Sequence, residues 1–233
     1  MKKHLMIIAS LLLVSGCAFG TRRPYLDYQT TTPVKAQNNI SISVDPLVDN
    51  RTWSKEKIGN VKNGYGMSCA DIVPQNSVTE WIGNALKDEL KNSGYNVVAS
   101  GAPNVVSGEV NDVFCDAYFS YTGRVGFHLF VKKEGNVLLD KNYAISKNTG
   151  VSMAATDQGY ANTMKFTLQD SMKQVMDDIN KVDFNVKVTK IEESDKSSGL
   201  YTELTKLDDL RKKGILTEDE FQAQKKLLLE KQQ

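Results

Sequence analysis

Apolar and polar positions alternate with a period of two at the start of the folded region. Ile40, Ile42 and Val44 interleave with Ser41, Ser43 and Asp45, the pattern of a half-buried strand that Pro46 ends. The period changes at Ser77-Val78-Thr79-Glu80, a capping box in which the Ser hydroxyl and the Glu carboxylate satisfy free amides at a helix start. Val78, Trp81, Ile82, Ala85, Leu86 and Leu90 then fall at helical spacing, and Gly94 supplies the stop. Tyr95 to Ala99 reads as a short strand and Pro103-Asn104 as a turn. From Val105 to Ile145 the pattern is β. It is loose from Val105 to Val113 and strict where Val125, Phe127, Leu129 and Val131 alternate with Arg124, Gly126, His128 and Phe130. Glu134-Gly135-Asn136 makes a hairpin turn into Val137–Ile145. After a Gly/Ser/Thr-rich stretch from Lys147 to Gly159, Met164, Leu168, Met172, Val175, Met176 and Ile179 mark one face of a helix from Tyr160 to Lys181. Phe184, Val186 and Val188 alternate as a last edge strand would. The order β–α–β–β–β–α predicts an α+β fold: an antiparallel sheet with two helices on one face, followed by a short C-terminal helical hairpin.

The remaining segments connect or tether. Residues 17–38 hold few apolar side chains and read as an extended tether, the α+β domain spans 39–191, and 192–198 is a charged, Ser-rich linker. Asp49 to Ala70, with three Gly and three Asn, predicts a long loop. Within it Arg51, Trp53, Tyr65 and Met67 form a set suited to contacting a partner. The alternative is that Trp53 and Met67 simply pack under the loop.

Residues 199–233 carry the sharpest motif. Leu204, Leu207 and Leu210 lead to Gly214, a helix stop, followed by Ile215, Leu216, a Thr217–Glu220 capping box, Phe221 and Leu228. This resembles the SHOCT domain, a short C-terminal helical hairpin of many bacterial proteins, and the resemblance implies oligomerisation or docking. A segment below about 40 residues buries too little surface to fold alone without a disulfide, metal or association. Its apolar stripe therefore packs on the main domain or on another copy.

The N-terminus changes the picture of where the protein lives. Lys2, Lys3 and His4 precede an apolar run from Leu5 to Val14, and Ser15-Gly16-Cys17 closes it. Residues 1–16 read as a secretory signal peptide, too short to span a bilayer. The small pair before Cys17 resembles the bacterial lipobox, which implies a diacylglycerol thioether on Cys17 and a further acyl chain, such as palmitate, on its amine. Two or more chains hold a protein stably on a membrane. With Ala18 rather than Asp after the Cys, the resemblance implies the outer membrane, periplasmic face.

Removing Lys2 and Lys3 leaves 27 basic against 28 acidic residues, so charge offers no reason to expect nucleic acid. Cys69 and Cys115, exported to an oxidising compartment, are expected to form a disulfide, two buried thiols being the alternative. No phosphate-binding, metalloprotease, esterase or C-x-x-C motif is present, and His128 is the single histidine after residue 16. Its place among Phe127, Leu129 and Phe130 reads as structural. Asp112 and Asp116 near Asp140 would allow a carboxylate pair, though turn or edge solvation explains each equally well. The chain is expected to be neither an enzyme nor a metal or cofactor protein.

The order of elements, with Leu86-Lys87-Asp88-Glu89-Leu90 through Gly94-Tyr95, is similar to that of the YajG-like envelope lipoproteins, which implies a binding role. Two readings follow: a module that docks an envelope partner, such as a transport or cell-wall machine, or a homo-oligomeric scaffold.

Overall fold

The computed structural model describes residues 20–151, 155–186, 204–208, 210–211 and 216–230. The chain forms two compact units that divide after Val186. In the first, eight strands make one sheet: β1 (Ser41–Val44), β2 (Val48–Asp49), β3 (Gly59–Lys62), β4 (Ser68–Ile72), β5 (Asn96–Val98), β6 (Asn104–Ala117), β7 (Ser120–Lys133) and β8 (Asn136–Val151). Helix α1 (Val78–Asn92) lies between β4 and β5, and α2 (Asp157–Ile179) follows β8.

The 14-residue β6 is the spine. One of its edges pairs antiparallel with β7, which pairs antiparallel with β8, as the alternation predicted. Its other edge takes β1, β2 and β3 in turn, all parallel. β5 borders β1 in parallel, and β4 borders β3 antiparallel. The expectation of a purely antiparallel sheet is therefore corrected to a mixed one within the α+β class. The reason is that β1, β2 and β3 follow one another in the same direction along one edge of β6, and the excursion through β4 and α1 returns the chain to lay β5 parallel to β1.

The loose pattern of β6 has a single cause. Val106 and Val110 point into the core at even positions, whereas Val113, Cys115 and Ala117 do so at odd ones. Between Val110↔Phe127 and Asp112↔Gly126 the register slips by one, leaving Asn111 extra and exposed. This bulge keeps both halves of the strand facing the core. β7 needs no such correction: Tyr121, Val125, Phe127, Leu129 and Val131 are all buried.

The core-facing side of the sheet packs against α1 and α2. Helix α1 starts where Ser77 Oγ accepts the Glu80 amide (3.3 Å) and buries Val78, Trp81, Ile82, Ala85, Leu86 and Leu90. Helix α2 starts at a Thr156 cap, three residues before the sequence suggested, and buries its Met and Leu stripe. Strand β8 runs on to Val151, through the polar stretch read as a connection. Residues 184–185 form a turn, not an edge strand: Phe184 is buried and stacks edge-on against Tyr95 (5.8 Å). Val188 lies outside the described residues.

The largest departure concerns residues 20–38, expected to hang free. They are extended but fastened along both helices. Asn76 grips the main chain of Leu26 through both its N–H and C=O (2.9 Å each), and Leu26 is buried. Trp81 Nε1 donates to the Asp27 carbonyl (2.9 Å), Lys165 pairs with the Asp27 carboxylate (2.6 Å), and Gln169 donates to the Gln29 carbonyl (2.8 Å). Further on, Lys35 N–H meets the Asn92 carbonyl and Asn38 N–H the Gly94 carbonyl, each at 2.7 Å. Gly94 has φ +94°, and a Cβ there would stand 2.4 Å from the Ala36 carbonyl oxygen, so both the helix stop and the strap need glycine.

Deleting Asn111 is expected to abolish folding, because it turns Val113, Cys115 and Ala117 outward and Phe114 inward. Asn111→Ser, keeping the residue count, should change stability by less than about 0.5 kcal/mol. Urea unfolding followed by circular dichroism distinguishes the two.

Candidate partner-contact surfaces

The four residues proposed as a partner loop do not form one surface. Arg51 is buried at 3% exposure: its guanidinium binds both oxygens of Asp49 (2.9 and 2.8 Å) and the carbonyls of Lys55 (2.7 Å) and Lys57 (3.3 Å). The Asp49 carboxyl is held below its usual range by those Arg51 hydrogen bonds, which outweigh its burial. Arg51 thus pins the β2–β3 connection and is not available to a partner. Trp53 lies on the sheet side away from the helices, edge-on to Phe114 (5.5 Å), with the Arg124 guanidinium 4.3 Å above the same ring. Tyr65 and Met67 stand exposed at the tip of the β3–β4 hairpin, whose turn is closed by Asn63 Oδ1 accepting the amides of Tyr65 (2.9 Å) and Met67 (3.0 Å).

The side of the sheet turned from the helices also holds the candidate chemistry. His128 Nε2 bonds Asp140, and the imidazole packs on Phe130 with ring centres 4.2 Å apart. The proposed carboxylate pair does not assemble. Asp112 bonds Arg124 Nε (2.9 Å), Asp116 bonds Lys62, and Asp140, on β8, is separated from both by the whole of β7. Each carboxylate is matched to a cation or an imidazole of its own, which is charge balance across strands rather than a shared proton site. Among the described residues no three His, Cys, Asp or Glu side chains converge as a metal site would require. Clefts among the described residues include open depressions of about 280 to 340 Å³, such as the one between Asp45, Leu47, Glu80 and Lys87.

The expected disulfide is absent. Cys69 is exposed on β4 and Cys115 is buried on β6, with β3 between them. Two strand spacings are about 9–10 Å, beyond the roughly 7 Å between Cα atoms that a disulfide tolerates. Burial pushes the Cys115 thiol well up, and the nearby Asp116 adds to it. Cys17 lies outside the described residues.

One buried acid went unnoticed in the sequence. Glu89 falls on the apolar face of α1 and is fully buried beneath the N-terminal strap. Its carboxylate accepts the Tyr28 hydroxyl (2.5 Å) and the amides of Thr31 (2.8 Å) and Thr32 (3.1 Å). Burial alone would raise the Glu89 pKa. Hydrogen bonds from Thr32, Tyr28 and Thr31 outweigh it and hold the carboxyl below 4.5, its ordinary value. Burial, together with the bond to Glu89, pushes the Tyr28 hydroxyl up. The available signal was an acid at a helical core position, i+3 from Leu86.

Two exposed aromatics were likewise missed. Tyr118 and Phe119 occupy the β6–β7 turn, where a polar pair is usual, and their rings lie 4.1 Å apart.

In the second unit, residues 204–208 and 210–211 are helical and α3 spans Glu218–Glu230. The capping box forms as expected: Glu220 Oε2 accepts the Thr217 amide (2.9 Å), and Thr217 Oγ1 accepts the Glu220 amide (3.3 Å). Arg211 stacks 4.7 Å from the Phe221 ring while bonding Asp208 (2.6 Å) and Glu218 (3.0 Å). Phe221 is buried, Leu204, Leu207, Leu216 and Leu228 are half-buried, and Leu210 and Leu227 are exposed. Ile215 lies outside the described residues.

The first unit is thus a mixed sheet backed by two helices, and the second carries the capped C-terminal helical segments. A family model described as uncharacterized lipoprotein matches residues 28–181, and the chain belongs to this lipoprotein family. The short C-terminal (SHOCT) domain matches residues 202–229. No curated protein matches the sequence. Among solved structures, a Xanthomonas campestris protein of the DUF330 family is 12% identical over 66% of this chain and 91% of its own, with a TM-score of 0.47. A putative neuraminyllactose-binding hemagglutinin homolog from Helicobacter pylori is 13% identical over 66% of this chain and 92% of its own, with a TM-score of 0.38. The PelC dodecamer from Paraburkholderia phytofirmans is 12% identical over 61% and 91%, with a TM-score of 0.37.

Two predictions follow from these geometries. Glu89→Gln should lower stability at pH 7 by about 1.5–3 kcal/mol, the scale of hydrogen bonds to a charged group. Because the folded pKa is depressed, the stability that Glu89 contributes is full above pH 4.5 and is lost as pH falls through the folded value. The variant should therefore lose less than the native protein between pH 7 and pH 3.5 in urea titrations. With a thiol reagent, Cys69 should react in the folded protein and Cys115 only after denaturation, with gel mobility unchanged by reduction.

Proposed function

We propose that this lipoprotein carries acyl chains on Cys17 at the periplasmic face of the outer membrane and acts as a non-catalytic docking module. The α+β unit engages an envelope protein, and the C-terminal hairpin joins copies of the chain or docks them to that partner. The observation that carries the hairpin's role is its unfinished packing. Leu210 and Leu227 stay exposed, and four further leucines are only half-covered, in a segment that holds no cysteine or histidine to staple it. The α+β unit needs no such help, since a continuous core from Leu26 to Phe184 runs through both helices and the sheet. Its uncovered sheet side, where Trp53, Phe114 and Arg124 stack, supports recognition: aromatic and arginine side chains are enriched at protein contacts.

In-cell crosslinking and affinity capture of the acylated protein, beside a version ending at Asp195, tests this reading. Self-crosslinks should vanish in the truncated form, while capture of one envelope protein survives it. An unchanged solution mass on truncation would refute a role for the hairpin in self-association. Self-crosslinks with no captured protein would instead support a scaffold.

A further inference from the structure

Exposed apolar side chains elsewhere in the first unit are scattered on separate elements, as is normal for a protein surface. One end of the sheet is different. The β3–β4 turn exposes Tyr65 (87%) and Met67 (59%), and the β6–β7 turn exposes Phe119 (73%) and Tyr118 (38%). The two turns are tied together, since the Tyr118 hydroxyl donates to the Gly64 carbonyl (3.2 Å) and Gly66 lies against the Tyr118 ring. Asn63, Gly66 and the Lys62–Asp116 pair hold the turns in shape without covering their apolar side chains.

The N-terminal strap says what this end faces. Arg22 forms a parallel bridge with Ile72: its amide donates to the Asp71 carbonyl, and the Val73 amide donates to its carbonyl (2.9 Å each). Parallel pairing fixes direction. Read backwards from Arg22, the chain heads along β4 from Ile72 toward Met67, that is, toward the aromatic turns. Cys17 is five residues before Arg22, the same count that separates Ile72 from Met67, and that length reaches at most about 17 Å.

We infer that the four-residue apolar end formed by Tyr65, Met67, Tyr118 and Phe119 seats in the headgroup layer of the membrane that holds the anchor. The inference rests on the reading that Cys17 is acylated. Tyrosine suits that layer because its aromatic body enters the acyl boundary while the hydroxyl meets polar groups, and the wholly apolar Phe119 ring inserts beside it. With the strap fastened to both helices, the fold cannot drift far from its anchor. Lipid on Cys17 and the aromatic end then make a two-part attachment that stands β6 and β7 away from the bilayer. The β7–β8 turn, at the far end of a 14-residue strand, projects about 45 Å outward.

Cys69, exposed and two residues from Met67, provides a native probe. The full-length acylated protein is placed in vesicles of phosphatidylethanolamine and phosphatidylglycerol with a nitroxide on Cys69. A second sample carries it on Asn136→Cys in a Cys69→Ser background, at the opposite turn. Collisions with oxygen report the lipid phase, and those with a nickel chelate report water. The Cys69 label should be several-fold more protected from nickel than the Asn136→Cys label. The double variant Tyr65→Ser/Phe119→Ser, folded by circular dichroism, should lose that protection. Equal nickel access at both labels, on protein whose intact mass retains the acyl chains on Cys17, overturns the inference and leaves the anchoring intact. Protection that persists in detergent with dipolar broadening between labels overturns it in favour of a second copy. An unmodified Cys17 overturns the anchoring itself, and the inference with it.

Discussion

The bulge at Asn111 is the constraint on which the first unit depends. A regular strand of 14 residues would have to keep one parity of side chains facing the core from end to end. The residues of β6 do not: Val106 and Val110 are even, Val113 and Cys115 odd. One extra residue reconciles them, at the cost of a single unpaired position in the ladder with β7. On its other edge the spine accepts three strands too short to be stable alone, β1, β2 and β3. Gly59 shows how closely they approach, for a Cβ there would stand 1.7 Å from the Cys115 carbonyl oxygen. The core, the free cysteines and the position of both aromatic turns all follow from that register.

A second layer of order is built from polar groups. The strap from Thr21 to Asn38 buries only Pro24 and Leu26 and is otherwise held by polar contacts, chiefly main-chain groups meeting Asn76, Trp81, Glu89, Asn92 and Gln169. Glu89 is tolerated in the core because four donors, the Tyr28 and Thr31 hydroxyls and the Thr31 and Thr32 amides, converge on it and replace the water it lost. Lying along α1 and α2 in this way, residues 21–38 are part of the fold rather than a leash.

Carboxylates across the sheet each have a local partner in Arg124, Lys62 or His128, and Arg51 is consumed by Asp49 and two carbonyls. What remains uncommitted is apolar or aromatic and lies on turns, on the uncovered sheet side and on the C-terminal hairpin.

The sequence by itself determined several features that are local in the chain, though not the β3–β4 hairpin, which lies in a stretch that reads as loop. The two helices with their Ser77 start and Gly94 stop, the β7–β8 hairpin and the Thr217–Glu220 cap each depend on residues within a few positions of one another. It also carried the signature of the lipoprotein family and of the C-terminal domain. Tertiary structure alone decided the rest. Parallel pairing on β6 depends on which strand edges meet, which side-chain alternation does not encode, since both strand directions alternate alike. The strap was invisible to periodicity because main-chain hydrogen bonds, not apolar side chains, hold it. Cys69 and Cys115 seemed a pair by compartment and number, but β3 separates them. Arg51 and Tyr65, neighbours in one polar stretch, part company because a buried ion pair claims one and a hairpin tip exposes the other. The strap and the parallel pairing are set by contacts between residues about 50 or more positions apart, such as Leu26 with Asn76 and Gly59 with Cys115, where composition and spacing carry no distance information.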